Sequence, residues 1–105
     1  MVELQWSKTS KRKMNWNDAV EYAKQLQEGG FDWRLPTIKE LFSIIDYDRI
    51  GSVCTLPECR SYDYWTGSTC ADNPDYAWYV NFYFGYVYAN DKYDTLYVRC
   101  VRLEQ

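Results

Sequence analysis

Histidine is absent from this sequence of 105 residues. Its absence removes Ser–His and Cys–His nucleophilic pairs, histidine metal sites and the commonest general base. The carboxylates, such as Asp46 and Asp48 or Asp72 and Asp75, lie in polar, loop-like segments where a solvated surface is the usual explanation. We therefore expect no catalytic residues and no cofactor, and predict that the protein is not an enzyme.

An excess of positive charge and a long apolar run are also missing. The chain has 12 Lys and Arg against 15 Asp and Glu, a net charge of −3. The one basic run, Lys11-Arg12-Lys13, is short and predicts a solvated loop, so no nucleic-acid partner is expected. No apolar run approaches the ~18 residues of a membrane span, so membrane insertion is not expected. No secretory signal is visible at Met1–Trp6, which leaves the compartment open.

Cysteine is scarce, with four residues: Cys54, Cys59, Cys70 and Cys100. A disulfide between Cys54 and Cys59 is favoured by their spacing, because Pro57 between them would support a tight turn. The sequence does not decide which cysteines pair. Buried free thiols are the alternative to disulfides. A zinc site would need paired C-x-x-C ligands, so no metal is expected.

Aromatic residues are abundant, at 19% of the chain, with eleven Tyr and five Trp. The length suits one compact domain spanning residues 1–105. A domain of this size cannot bury so many large rings, so some of them must lie at the surface.

Local patterns predict an α+β domain, because a strand and two helices precede a group of antiparallel strands. The first helix is capped by Asn15 or Asn17 and ends at Gly29-Gly30. The second helix opens with a capping box of Thr37 and Glu40 and buries Leu41, Ile44 and Ile45. The predicted remainder is a first strand at Leu4–Trp6, a long loop over 47–63, a strand at Tyr64–Ser68, a turn over 70–75 and a last strand at Tyr97–Leu103.

Residues after Ala77 alternate with the period of a strand. Trp78, Val80 and Phe82 are predicted to point into the core. Tyr79, Asn81 and Tyr83 are predicted to point outward, and Gly85 marks a turn. One segment can thus supply both the core and an exposed surface.

Six motifs of the sequence occur in the order found in a known family. They are Asn15-Trp16-Asn17-Asp18-Ala19, Trp33-Arg34-Leu35-Pro36-Thr37 with Glu40-Leu41, Tyr64-Trp65-Thr66, Trp78-Tyr79-Val80-Asn81-Phe82, Gly85 and Tyr97-Val98-Arg99-Cys100-Val101-Arg102. On these motifs the chain resembles the Lcl C-terminal domain, which ends a bacterial collagen-like adhesin. The resemblance implies a C-type-lectin-like fold, with two helices packed on a twisted antiparallel sheet and adjacent termini. It also implies surface or virion display, as a monomer or a trimer.

The C-terminal stretch is similar to the variable region of proteins diversified by prokaryotic or viral diversity-generating retroelements. In such proteins, adenines of a template copy are randomised, mostly in Asn codons, while framework residues persist. The resemblance implies a framework of Trp78, Val80, Asn81, Phe82, Gly85, Val87, Lys92 and 97–102. It implies variable positions at Tyr79, Tyr83, Phe84, Tyr86, Tyr88, Ala89, Asn90, Asp91, Tyr93, Asp94, Thr95 and Leu96.

The retroelement hypothesis can be checked within the sequence. A randomised AAC codon keeps its final C, so it cannot become Lys, Glu, Gln, Met or Trp. None of these five residue types occurs at the twelve positions, as the hypothesis requires.

The twelve positions are therefore our predicted ligand-binding residues, in a non-catalytic domain whose ligand is a protein. Seven of the eleven tyrosines lie between Tyr76 and Tyr97, and Tyr offers a large contact area with few rotatable bonds. One alternative is that these tyrosines only stabilise the sheet through cross-strand pairs. Another is calcium-independent glycan binding, since Trp16-Asn17-Asp18 lies at a helix start rather than where calcium-dependent lectins hold their ion.

Overall fold

The computed structural model describes residues 4–26, 32–49, 53–56 and 62–103. Within these ranges the protein is an α+β domain with two helices and antiparallel sheets, as predicted. The elements in chain order are β1 (Leu4–Trp6), α1 (Trp16–Gln25), α2 (Ile38–Phe42), β2 (Asp63–Thr69), β3 (Tyr76–Asn81), β4 (Val87–Asp91) and β5 (Val101–Leu103).

The strands form two sheets rather than the single sheet that was expected. β2, β3 and β4 form an antiparallel sheet in that order, and β1 pairs with β5. The first and last strands are therefore adjacent, antiparallel neighbours. The predicted last strand over 97–103 is shorter, because Tyr97 bridges to Tyr64 of β2 and the chain then leaves β2 to pair with β1.

Both helices begin at side-chain caps that the sequence predicts. Asn15, and not Asn17, caps α1, with its Oδ1 accepting a hydrogen bond from the Asp18 N–H at 2.8 Å. α1 ends at Gln25, and the predicted stop at Gly29-Gly30 lies outside the described residues. The capping box of Thr37 and Glu40 is confirmed, with both reciprocal hydrogen bonds present at the start of α2.

The Trp33-Arg34-Leu35-Pro36-Thr37 motif ties three elements together. The Arg34 backbone pairs with Val101 of β5 in both directions, at 3.0 and 2.9 Å. Its guanidinium donates hydrogen bonds to both carboxylate oxygens of Glu40 in α2 at 2.7 Å. These hydrogen bonds lower the pKa of Glu40 below its ordinary value. The Pro36 carbonyl accepts from Gly67 of β2 at 2.8 Å.

Core residues cover both faces of the β2–β3 pair. Trp65 and Ala77 lie on the face that packs against Ala19 and Ala23 of α1. The opposite face packs against α2, through the residues Tyr64, Val80, Phe82 and Leu41. The two helices therefore contact opposite faces of this sheet.

The predicted core triplet of β3 is confirmed at two of its three positions. Val80 and Phe82 are fully buried, whereas Trp78 is only half-buried. Ala77, on the opposite face of the strand, is fully buried. Since packing covers both faces, alternation alone does not identify every core residue.

Two other predictions are corrected or limited by the structure. α2 ends at Phe42, so Ile44 lies in the turn beyond it, where it is still buried, and the half-buried Ile45 forms a β-bridge to Cys54. Cys54 is disulfide-bonded, and its predicted partner Cys59 lies outside the described residues. Cys70 and Cys100 carry thiols.

Candidate functional site

A tight turn joins β3 to β4, and Asn81 organises it. Its Oδ1 accepts hydrogen bonds from the backbone N–H groups of Tyr83 and Phe84, at 3.0 and 2.8 Å. Its Nδ2 donates to Asp63 Oδ1 at 2.8 Å. The Asn81 N–H also donates to the Tyr86 carbonyl, and the Asn81 carbonyl accepts from the Gly85 N–H. One side chain thus fixes the turn and ties it to the neighbouring strand.

Gly85 completes this turn with a backbone that only glycine adopts easily. Its φ is +81°, in the left-handed region that side chains disfavour. The Tyr47 hydroxyl donates to the Gly85 carbonyl at 2.6 Å, and a Cβ at position 85 would collide with the Tyr47 ring. The sequence marks a turn here, but it contains no local sign of the approach of Tyr47.

Replacing Asn81 by Ala is expected to destabilise the fold by about 1–3 kcal/mol, because two backbone donors and Asp63 lose their partner. Urea denaturation of both proteins would measure the loss. Asn73→Ala is the matched control, since among the described residues the Asn73 side chain accepts one hydrogen bond, from the Asp75 N–H of an exposed turn at 3.2 Å. Equal losses for the two variants would contradict the organising role of Asn81.

Five aromatic side chains meet around this hairpin, and we call them the aromatic face: Tyr79, Tyr83, Phe84, Tyr86 and Tyr88. Ring centroids are 4.6 Å apart for Tyr83 and Phe84, 6.4 Å for Phe84 and Tyr86, and 6.4 Å for Tyr79 and Tyr86. Phe84 and Tyr88 are 66% and 65% exposed, and Tyr83 and Tyr86 are exposed as well. The result is a connected apolar surface that faces solvent.

Tyr79, Tyr86 and Tyr88 line an open cleft of about 420 Å³. Tyr79 lies directly opposite Tyr88 in the β3–β4 register, and it also packs partly against the core. Burial, followed by the charge of Asp63 and contact with Tyr86, raises the pKa of Tyr79 to about 12. The Tyr79 phenol therefore stays protonated at neutral pH.

Asp63 is a residue of this site that the sequence did not indicate. It begins β2 opposite Asn81 and lies diagonally across from Tyr79. No local motif identifies such a residue, because its place depends on the register between two strands.

Most of the twelve predicted ligand-binding residues are accessible, with one exception. Leu96 is 7% exposed and packs in the cluster beside α1. Its backbone exchanges hydrogen bonds with Met14 at 2.8 and 3.0 Å. This pairing turns the Leu96 side chain inward, so its prediction as a surface residue is wrong.

The remaining predicted residues form a second group along β4 and the turn that follows it. Ala89, Asn90 and Asp91 are half-buried on β4. Tyr93, Asp94 and Thr95 are exposed in the turn. Asp91 shapes this turn, because its Oδ1 accepts from the Tyr93 N–H at 2.8 Å. Within the described ranges, no ring contact joins Tyr93 to the aromatic face.

A second cleft, of about 460 Å³, lies at the basic run, which forms an exposed loop as predicted. Lys8, Lys11 and Arg12 line it together with the apolar side chains of Met14 and Tyr22. This cleft combines positive charge with an apolar wall.

The fold and the site define a small α+β domain that displays aromatic side chains from one β-hairpin. The sequence profile of the Lcl C-terminal domain matches residues 1–102. The chain therefore belongs to the Lcl C-terminal domain family. A search of curated proteins gave no match. Within the described part of the chain, none of the helices has the length and apolar character needed to cross a bilayer.

Proposed function

We propose that this protein is a non-catalytic binding domain with a C-type-lectin-like fold. Its ligand is a protein, held by the aromatic face and the accessible residues beside it. We further propose that a diversity-generating retroelement varies this surface. One observation carries the proposal: none of the predicted framework positions is exposed, whereas most of the predicted variable positions are.

Framework and variable positions differ clearly in which of them are exposed to solvent. Every predicted framework position is buried or half-buried, and none of them is exposed. Seven of the twelve candidate positions are exposed. They are Tyr83, Phe84, Tyr86, Tyr88, Tyr93, Asp94 and Thr95. This agreement supports a surface that can change while the fold persists.

The aromatic face has the physical properties of a protein-binding surface. Interface hot spots are enriched in Tyr, and they are strongest where rings fill pockets. A rigid support lowers the entropy lost on binding. Asn81 and Gly85 supply that support by fixing the backbone on which Tyr83, Phe84 and Tyr86 stand.

Sheet stabilisation alone does not explain the aromatic face. Tyr79 and Tyr88 are a directly opposed cross-strand pair, and such pairs do stabilise sheets. Tyr83 and Phe84, in contrast, lie in the turn between β3 and β4. They have no opposing strand residue, and they are 51% and 66% exposed. Their apolar area is explained better by a partner that covers it.

Selection from an unbiased peptide-display library tests the binding proposal. We expect most independently selected peptides to compete with one another, because one surface offers the best combination of area and rigidity. In NMR titrations, the isotope-labelled domain should show its largest chemical-shift changes at the residues of the aromatic face. Peptides whose shifts scatter over the whole domain, or centre on another surface, would contradict the proposal.

The retroelement proposal is tested separately, in the gene. We expect C-ending codons at the candidate positions and a near-identical template repeat beside a reverse-transcriptase gene. A gene without the repeat and the reverse transcriptase would remove the diversification proposal and leave the binding proposal standing.

Glycan binding is the second candidate, and the cleft at Lys8, Lys11 and Arg12 is the observation that favours it. Positive side chains beside an apolar wall suit an anionic sugar chain. The net charge of −3 opposes a long polyanion. Titration with heparin and with an uncharged oligosaccharide, both without calcium, would distinguish this candidate from protein binding.

A further inference from the structure

The cleft of Tyr79, Tyr86 and Tyr88 lies near a carboxylate, because Asp63 of β2 is diagonally across the sheet from Tyr79. Burial is the largest cause of the raised pKa of Tyr79, and the field of the Asp63 carboxylate adds to it. The same field that disfavours a phenolate favours a cation at that place. The net charge of the chain, −3, acts in the same direction at longer range.

Three cationic side chains of the protein lie over aromatic rings outside this cleft. Lys92 Nζ lies 4.1 Å from the centre of the Trp16 ring, and Lys13 Nζ lies 5.5 Å from that of Tyr62. Arg102 lies over Trp33 at 5.5 Å. Within the described residues, no such contact is made to the rings of the cleft. Tyr86 and Tyr88 are 44% and 65% exposed, so their rings are accessible to a cation from another molecule.

We propose that this cleft receives an arginine or lysine side chain of the protein partner. The inference rests on the proposed function and specifies the chemistry of its ligand. Arginine suits the site better, because its flat guanidinium stacks on aromatic faces and is weakly hydrated.

Three features of the cleft match this ligand. Cation–π attraction acts within about 6 Å of a ring centre, and it is stronger where water is excluded. The Tyr79 and Tyr86 rings meet edge to face, with centroids 6.4 Å apart, so their arrangement leaves ring surface available. A volume of about 420 Å³ admits a guanidinium together with part of its stem. Asp63, diagonally across from Tyr79 on β2, supplies an opposite charge near the cleft.

The charge itself is tested with a pair of peptides of nearly the same shape, acetyl-Gly-Arg-Gly-amide and its citrulline counterpart. Citrulline keeps the planar head and its length but has no charge. In NMR titrations of the intact domain, we expect the arginine peptide to shift the ring signals of Tyr79, Tyr86 and Tyr88. We expect it to bind about threefold to fivefold more tightly than the citrulline peptide, the usual size of an exposed cation–π contact.

A domain variant tests the role of the carboxylate. Asp63→Asn removes the charge and keeps an oxygen that can accept from Asn81 Nδ2. We expect it to reduce the preference for arginine over citrulline. Asp72→Asn, an equal change of charge in an exposed turn, is expected to leave the preference intact.

Two results would overturn the inference. Equal binding of the arginine and citrulline peptides would show that charge is not recognised. Tighter binding of phosphocholine than of the arginine peptide would assign the cleft to a quaternary ammonium headgroup. In either case, library-selected peptides that still bind the aromatic face would leave the proposed function in place. Library-selected peptides that do not bind the aromatic face would remove both the proposed function and this inference.

Discussion

Replacing Tyr83, Tyr86 and Tyr88 together by Ser is expected to weaken the binding of library-selected peptides at least about 100-fold, since three hot-spot residues each contribute more than about 1 kcal/mol. The melting temperature is expected to stay nearly unchanged. All three side chains are exposed, at 51%, 44% and 65%, and substitutions at exposed positions away from special backbone features usually change stability by less than about 0.5 kcal/mol. Calorimetry would measure melting, and surface-immobilised peptides would measure affinity.

A matched control removes aromatic area elsewhere. Phe42 and Tyr62 are 40% and 52% exposed and lie outside the aromatic face. A Phe42→Ser, Tyr62→Ser variant is expected to bind the selected peptides as the unaltered protein does. Loss of binding in this control as well as in the triple variant would mean that the peptides recognise exposed rings in general. A fall of many degrees in the melting temperature of the triple variant would show that these tyrosines belong to the structural core.

Phe82→Ala is expected to lower the free energy of unfolding by about 3–5 kcal/mol, the usual cost of removing a buried phenyl ring. Phe82 has no exposed surface, and its ring packs edge to face on Tyr64 with centroids 5.1 Å apart. Its neighbour Tyr83 is half exposed, so Tyr83→Ala is expected to cost less than about 1 kcal/mol. Urea denaturation of the two variants gives both values.

These two adjacent residues form a direct test of the division between framework and surface. Both are aromatic, and they differ in burial. A similar loss of stability in both variants would contradict the burial pattern on which the proposed function depends. A large loss at Phe82 alone would show that the segment tolerates change at one position and not at the next.

The local features of this protein were predictable from short stretches of sequence. Asn15 and the pair Thr37 and Glu40 cap their helices through hydrogen bonds that span three residues. The burial of Val80 and Phe82 follows from the two-residue period of a strand. Each depends on side chains and backbone groups that are neighbours along the chain.

Predictions that concern distant contacts were less accurate. Leu96 follows a run of polar and exposed residues, yet its pairing with Met14 directs it into the core. Trp78 has the period of a core residue and is half-buried, whereas Ala77 on the opposite face is fully buried in the cluster beside α1. The burial of Leu96 and of Ala77 depends on elements that are distant in the sequence.

The sequence alone determined the α+β class, the capping box that starts α2, the turn at Gly85 and the exposure of Tyr83, Tyr86, Tyr88 and Tyr93. Composition and periodicity are sufficient for these, because they depend on local geometry and on how much area one domain can bury. Only the tertiary structure decided that Asp63 lies beside Tyr79, that Tyr47 closes on Gly85, and that three tyrosines form a cleft. Those arrangements depend on strand register and on loop packing, which bring together residues that no local pattern connects.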